Sequence, residues 1–253
     1  MQKLFPVMMD RPEKGSSFAA LVYGIICFAS FPFLILFFMQ GLWDDPVIGS
    51  WCEIVYHGFN LFVIGSLYRN YLSDTLFDAQ INWKKIAKTV AICAAIILGL
   101  HASLWRLSMV GGDRLIYAVD GMLPTSEMDI LWLSSAMVIN NPLFGTLCMV
   151  FVTPFVISLI YYASAFAPIC CERPWLAYPV TALVLALPRV ANAMTFFDPG
   201  PQIDLYLIQL PVHMIACWAY QKTDNIWTPI VLHAVVNLFG CLFFLYHSYF
   251  VWI

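Results

Sequence analysis

Charge is what this sequence has least of. Only 11% of its 253 residues are Asp, Glu, Lys or Arg, less than half of the roughly 25% that a soluble domain carries. So few charges cannot dress the surface of a water-soluble fold of this size. The 12 Lys and Arg against 15 Asp and Glu give a net charge of −3, which excludes a basic nucleic-acid-binding face. Long polar tracts are missing too, and with 62% hydrophobic residues the chain is no disordered segment. It has no internal repeat, no low-complexity tract and no composition break, so residues 1–253 read as a single integral membrane domain. Paired cysteine spacing is also absent. The eight cysteines lie mostly inside apolar segments, where they read as small core residues rather than a disulfide framework. The adjacent pair Cys170 and Cys171 sits at a membrane edge and is the one candidate for acylation.

What the sequence has in abundance is apolar runs near the 20 residues needed to cross a bilayer. Seven spans are expected, over 18–40, 47–68, 86–105, 143–166, 175–197, 203–219 and 226–246. The short apolar piece 130–139 reads as an interfacial helix or as the start of a longer, broken one. The fold class is therefore all-α, a polytopic transmembrane helical bundle. The first span is too long for a cleaved signal peptide and reads as an anchor. Lys3, Arg11, Lys14, Arg69, Lys84, Lys85, Lys88, Arg173 and Lys222 fall on one side, and only Arg106 and Arg114 on the other. By the positive-inside rule the N-terminus is cytoplasmic, and seven spans put the C-terminus outside. The one long connection, 106–142, reads as a surface loop or as a lid over a cavity.

Ionisable groups inside a bilayer are costly unless they face the bundle interior, so each is a functional candidate. Glu53 and His57 stand four residues apart on one helix face, where a carboxylate can orient an imidazole for acid–base work or simply satisfy it. His233 and Asn237 have the same spacing on the last span, suited to binding a metal, holding a water or stabilising an oxyanion, or to a histidine simply satisfied by a backbone carbonyl. Arg189 follows Pro188 in mid-span, and Glu53 is the only acid in the interior of any span, Asp204 standing at the very start of 203–219. A contact between Arg189 and Glu53 is therefore expected. His213 falls at a similar depth to Glu53, His57 and Arg189, and His101 is the remaining intramembrane histidine.

The stretch Tyr220-Gln-Lys-Thr-Asp-Asn-Ile-Trp-Thr-Pro-Ile-Val-Leu-His233-Ala-Val-Val-Asn237 resembles the closing motif of the CPBP family, the CAAX-protease and bacteriocin-processing (Abi) intramembrane proteins. There a Tyr-x-x-Thr-Gly-x-Ile/Leu-Trp-x-Pro-Ile run leads into His-x-x-x-Asn. The likeness is tight over these residues and looser from about 142 to 246. Active members of the family also carry Glu-Glu-x-x-x-Arg and Phe-x-x-x-His. In this chain Ile157 and Ser158 stand for the two glutamates and Tyr162 for the arginine. Leu185-Ala-Leu-Pro-Arg189 stands for the second motif, and His213 for a later glycine. The resemblance thus implies a glutamic peptidase whose general base is gone, since Ile157 cannot take a proton and Arg189 stays charged. His233 and Asn237 alone carry over.

Two functions follow from these readings. The first is a catalytically degenerate member that binds a membrane protein, a lipid or a lipopeptide in an intramembrane polar cavity, as scaffold, regulator or immunity factor. The second is an intramembrane endopeptidase with a rebuilt site. In it Glu53, His57, His213, His233 and Asn237 would be catalytic, and Arg189, Ser158 and Tyr162 would line the cavity. No cofactor is expected. Three histidines and a carboxylate could hold zinc with an open position, but no His-Glu-x-x-His pattern supports it. A transporter would use broken helices at Pro154, Pro188 and Pro211, but inverted repeats are lacking. The expected partners are the lipid bilayer and a membrane protein or lipopeptide, with no nucleic acid, in the cell membrane of a bacterium.

Overall fold

The computed structural model describes residues 11–24, 26, 46–111, 138, 140–184 and 199–246. The described elements are helices, and no strand occurs among the described residues. In chain order they are α1 (residues 14–24), α2 (Pro46–Leu67), α3 (Arg69–Ile81), α4 (Trp83–Gly111), the rod α5 (Pro142–Glu172) and α6 (Pro174–Val184), α7 (Pro199–Thr223) and α8 (Trp227–Tyr246). Three stretches, Val47–Leu67, Trp83–Ser103 and Pro142–Glu172, are long and apolar enough to cross a membrane, and Pro174–Val184 and Trp227–Leu242 are shorter apolar helices. The molecule is an all-α membrane bundle.

The surface is apolar where a soluble protein's would be charged. Phe59, Phe62, Phe151, Leu183 and Leu242 all point outward, as lipid-facing side chains do. Burial then marks the protein-facing stripe. On α4 it runs Ile86, Val90, Cys93, Ala94 and Ile97, the i, i+4, i+7 spacing of one helix face. On α1 the buried positions are Ser17, Ala20 and Gly24. Small residues at that spacing let helix backbones approach closely where no hydrophobic effect drives them together. The approach at Gly24 is so close that a Cβ there would lie 2.6 Å from Cγ2 of Ile160.

Helix α5 is the centre of the bundle, and two prolines shape it. Pro154 and Pro168 have no N–H to give to the preceding turn. Upstream of each, the ladder slips into π-helical turns, at Cys148–Val152 and Ser158–Phe166. Within the second of these, Ser164 Oγ donates to Leu159 O at 2.8 Å, satisfying a carbonyl that the wider turn exposes. All nine residues of Ser158–Phe166 are buried, as befits a helix surrounded on all sides. Helix α5 packs against α2, α7 and α8, and α8 also meets α4, α7 and α3.

Several expectations change. The third apolar span continues to Gly111, so its helix extends into the connection expected from 106. The fourth runs as one rod to Glu172 rather than ending at 166. The basic connection after the second span is helical: α3 leaves Leu76, Phe77 and Ile81 exposed. It is tied down by Asn225, whose Nδ2 donates to Thr75 O at 2.9 Å and to Asp78 Oδ2 at 3.1 Å. Lys85 Nζ reaches Thr223 O at 3.3 Å, so the start of α4 and the end of α7 share one end of the bundle. The interfacial piece expected over 130–139, apart from Val138, and most of the lid loop lie outside the described residues.

Candidate functional site

Three helices bring one side chain each to a buried polar cluster. The π-helical part of α5 supplies Tyr162, α7 supplies His213 two residues after Pro211, and α8 supplies His233. All three are at most 3% exposed. The Tyr162 hydroxyl lies 2.9 Å from His213 Nδ1 and 2.8 Å from His233 Nε2. The phenol ring stacks on His233 with centroids 5.6 Å apart and planes at 18°. The histidine rings lie 6.0 Å apart.

Proton counting constrains this triad. A phenol has one proton, so Tyr162 donates to one imidazole and accepts an N–H from the other. Either histidine can play either part, provided the two choose opposite tautomers at the nitrogens that face Tyr162. The hydroxyl is then a relay between the histidines, able to hand a proton to one while taking one from the other. It is not a base of carboxylate strength for activating water.

Asn237 sits one turn further along α8 from His233. Its Nδ2 donates to Met149 O at 2.9 Å, for a reason written in the sequence. Thr153 N bonds back to Cys148 O in the π turn, and the next donor that could reach Met149 O is Pro154, which has none. The carbonyl freed by the proline is taken by Asn237. Its Oδ1 is buried with no hydrogen-bond partner, as is the Ser158 hydroxyl. Ser158 lies four residues before Tyr162 on the same π turn, and unsatisfied buried groups of this kind mark a place for a ligand or water.

The structure therefore brings together His213, His233 and Tyr162, with Asn237 and Ser158 on the same two helices. It does not bring His57 to them. His57 is buried on α2, its Nδ1 has no hydrogen-bond partner, and its ring neighbour is Tyr56 at 5.4 Å. Position 53 falls on the α2 face that buries Ser50, His57 and Asn60, but the Glu53 side chain lies outside the description. Arg189 lies outside the described residues altogether, and with it the expected contact to Glu53. His101 is half-buried on α4. Among the described residues, no three His, Cys, Asp or Glu side chains are placed to share a metal ion.

Two features escaped sequence reasoning. The sequence suggests Tyr162 only as cavity lining, whereas it is the link between the histidines. Its partners are 51 and 71 residues away, and no local signal pairs them. Asn225 was not singled out, although its place between Asp224 and Trp227 is informative. Its Oδ1 accepts from Trp227 N at 3.0 Å, a cap for the start of α8. Asp224, where the family pattern has glycine, takes the left-handed φ of 57°, which Asp tolerates better than most residues.

Residues 139–239 match the family model described as type II CAAX prenyl endopeptidase Rce1-like. This stretch contains Ser158, Tyr162, His213, His233 and Asn237. No curated protein and no solved structure matches the chain.

Proposed function

We propose that this chain, whose residues 139–239 match the Rce1-like CAAX endopeptidase family model, is a catalytically degenerate member of that family that works by binding. Its ligand is a membrane protein or lipopeptide that offers polar groups to the polar cluster between α5, α7 and α8. The observation that carries this is the exchange of charged machinery for a neutral triad. Where the family pattern has two glutamates and an arginine, this chain has Ile157, Ser158 and Tyr162, and Tyr162 holds both His213 and His233. A histidine held by a phenol lacks the carboxylate that would make it, or a water beside it, strongly basic. The orphaned Ser158 hydroxyl and Asn237 Oδ1 supply a donor and an acceptor for a partner's backbone. The same chemistry suits a scaffold, a regulator or an immunity factor.

The test uses the full chain in lipid nanodiscs with a fluorescent prenylated CAAX peptide. The expected result is no cleavage above that of His233→Ala, together with peptide binding that Asn237→Ala weakens several-fold. Cleavage abolished by both Glu53→Gln and His233→Ala would overturn this reading in favour of a rebuilt endopeptidase site.

A further inference from the structure

A second polar site lies at the bundle end, away from the triad. A cavity of about 280 Å³ opens where α1 begins and α2 passes into α3, and its lining includes Arg11, Glu13, Arg69, Asn70 and Asp74. None of its four charged side chains has an ion-pair partner among the described residues, although two guanidiniums and two carboxylates share the space. Their charges cancel. Such a set asks for a ligand that itself carries one charge of each sign.

The surroundings say where that ligand comes from. Ser66 and Leu67 also line the cavity, and Leu67 ends the membrane-crossing stretch Val47–Leu67, so the cavity sits at the level of the bilayer interface. Helix α3 starts there, with Phe77 and Ile81 exposed. Lys84 over Trp83 and Lys222 over Trp218 add two aromatic–lysine pairs at the same end, the residues that anchor interfaces. Towards the bilayer, α1 exposes Phe18, Val22 and Ile26, and α2 exposes Phe59 and Phe62. The two helices are neighbours, since the Tyr23 hydroxyl donates to Asn60 Oδ1 at 2.6 Å. A polar cavity at interface depth, continued by apolar side chains, fits a phospholipid standing in its own leaflet.

We propose that this cavity binds the head of a zwitterionic aminophospholipid, phosphatidylethanolamine. Arg11 and Arg69 take the phosphate, as guanidinium forks do, assisted by the start of α3, whose N-cap makes no side-chain bond. Glu13 and Asp74 take the primary ammonium, whose three N–H donors a choline head lacks. The exposed phenylalanines of α1 and α2 flank the acyl chains. The site is independent of the polar cluster between α5, α7 and α8, and its test does not depend on that reading.

The experiment is native mass spectrometry of the full chain released from nanodiscs of equimolar phosphatidylethanolamine, phosphatidylcholine and phosphatidylglycerol. The wild type is expected to retain phosphatidylethanolamine at least five-fold over either competitor. Arg11→Gln with Arg69→Gln loses retention of all phospholipids. Glu13→Gln with Asp74→Asn keeps a bound lipid but shifts it to phosphatidylglycerol, because the phosphate partners remain and the ammonium partners do not. Both variants sit at a water-facing edge, and unchanged thermal unfolding shows that they are folded. Soluble glycerophosphoethanolamine binds at least ten-fold more weakly than the lipid. Equal retention of the three lipids, indifference to both double variants, or equal affinity for the soluble head would each overturn the assignment.

Discussion

Replacing Tyr162 by Phe removes one oxygen and leaves the ring stacked on His233, so the change isolates the hydrogen bonds. Two are lost, at 2.9 and 2.8 Å, and both end on buried imidazole nitrogens. In a water-soluble core, orphaning a buried polar group costs about 1–3 kcal/mol each. Within a membrane the unfolded reference also finds partners, and measured hydrogen bonds between helices average about 0.6 kcal/mol with a maximum near 1.7. Two such bonds therefore give an expected loss of about 1–3 kcal/mol. The assay is reversible detergent-induced unfolding in mixed micelles, with Tyr162→Phe, His233→Ala and the double variant forming a cycle. Because the two residues share a bond, the double variant should lose less than the sum of the single losses. In parallel, nitrogen-15 spectra of labelled histidine should show one protonated and one bare nitrogen facing Tyr162, and the variant should erase that asymmetry. Full additivity, with the histidine spectra of Tyr162→Phe unchanged, refutes the triad and its proton bookkeeping.

Other substitutions probe the frame around it. Asn225→Ala removes donors to Thr75 O and Asp78 Oδ2 and the acceptor for Trp227 N; it should cost about 2–4 kcal/mol, with hydrogen exchange rising first in α3. Asp224→Gly, at φ 57°, should be neutral or slightly stabilising, whereas Asp224→Val should lower thermal stability by about 1–2 kcal/mol. Gly24→Ala places a methyl 2.6 Å from Ile160 and should destabilise by about 1–3 kcal/mol. The double variant with Ile160→Ala should recover part of that loss, and no recovery would show that α1 does not press on α5 there.

Apolar runs were legible because the bilayer solvent demands them. The stretches read at 47–68 and 226–246 emerge as Pro46–Leu67 and Trp227–Tyr246 to within a residue or two. Helix α3 was not legible as an element, because Arg69–Ile81 is short and mixes charged with apolar residues. The π turns of α5 leave no periodic trace either, although their cause, Pro154 and Pro168, stands in the sequence. His233 and Asn237 could be found from their spacing on one helix. The triad could not, because it joins three helices at long sequence separation, and the tyrosine that completes it stands where the family pattern has arginine, which gives no sign of its histidine partners.

The particular residues that depart from the family pattern nonetheless fit one another. A buried arginine that has lost its glutamates would be an uncompensated charge, among the costliest defects a membrane helix can hold. At that position this chain has Tyr162, and where the pattern has a later glycine it has His213, whose ring occupies space a glycine leaves open. The hydroxyl of the first meets the imidazole of the second at 2.9 Å, and the motif histidine His233 completes the set. Simple decay of an active site would leave unpaired polar groups at all of these positions. Instead the three central groups meet one another without net charge, and Ser158 Oγ and Asn237 Oδ1 are orphaned on the same two helices. Under the proposed binding function, a partner is held by the polar groups beside this neutral core. That function predicts that Ser158→Leu abolishes partner binding while the Tyr162–His213–His233 histidine spectra stay as they are.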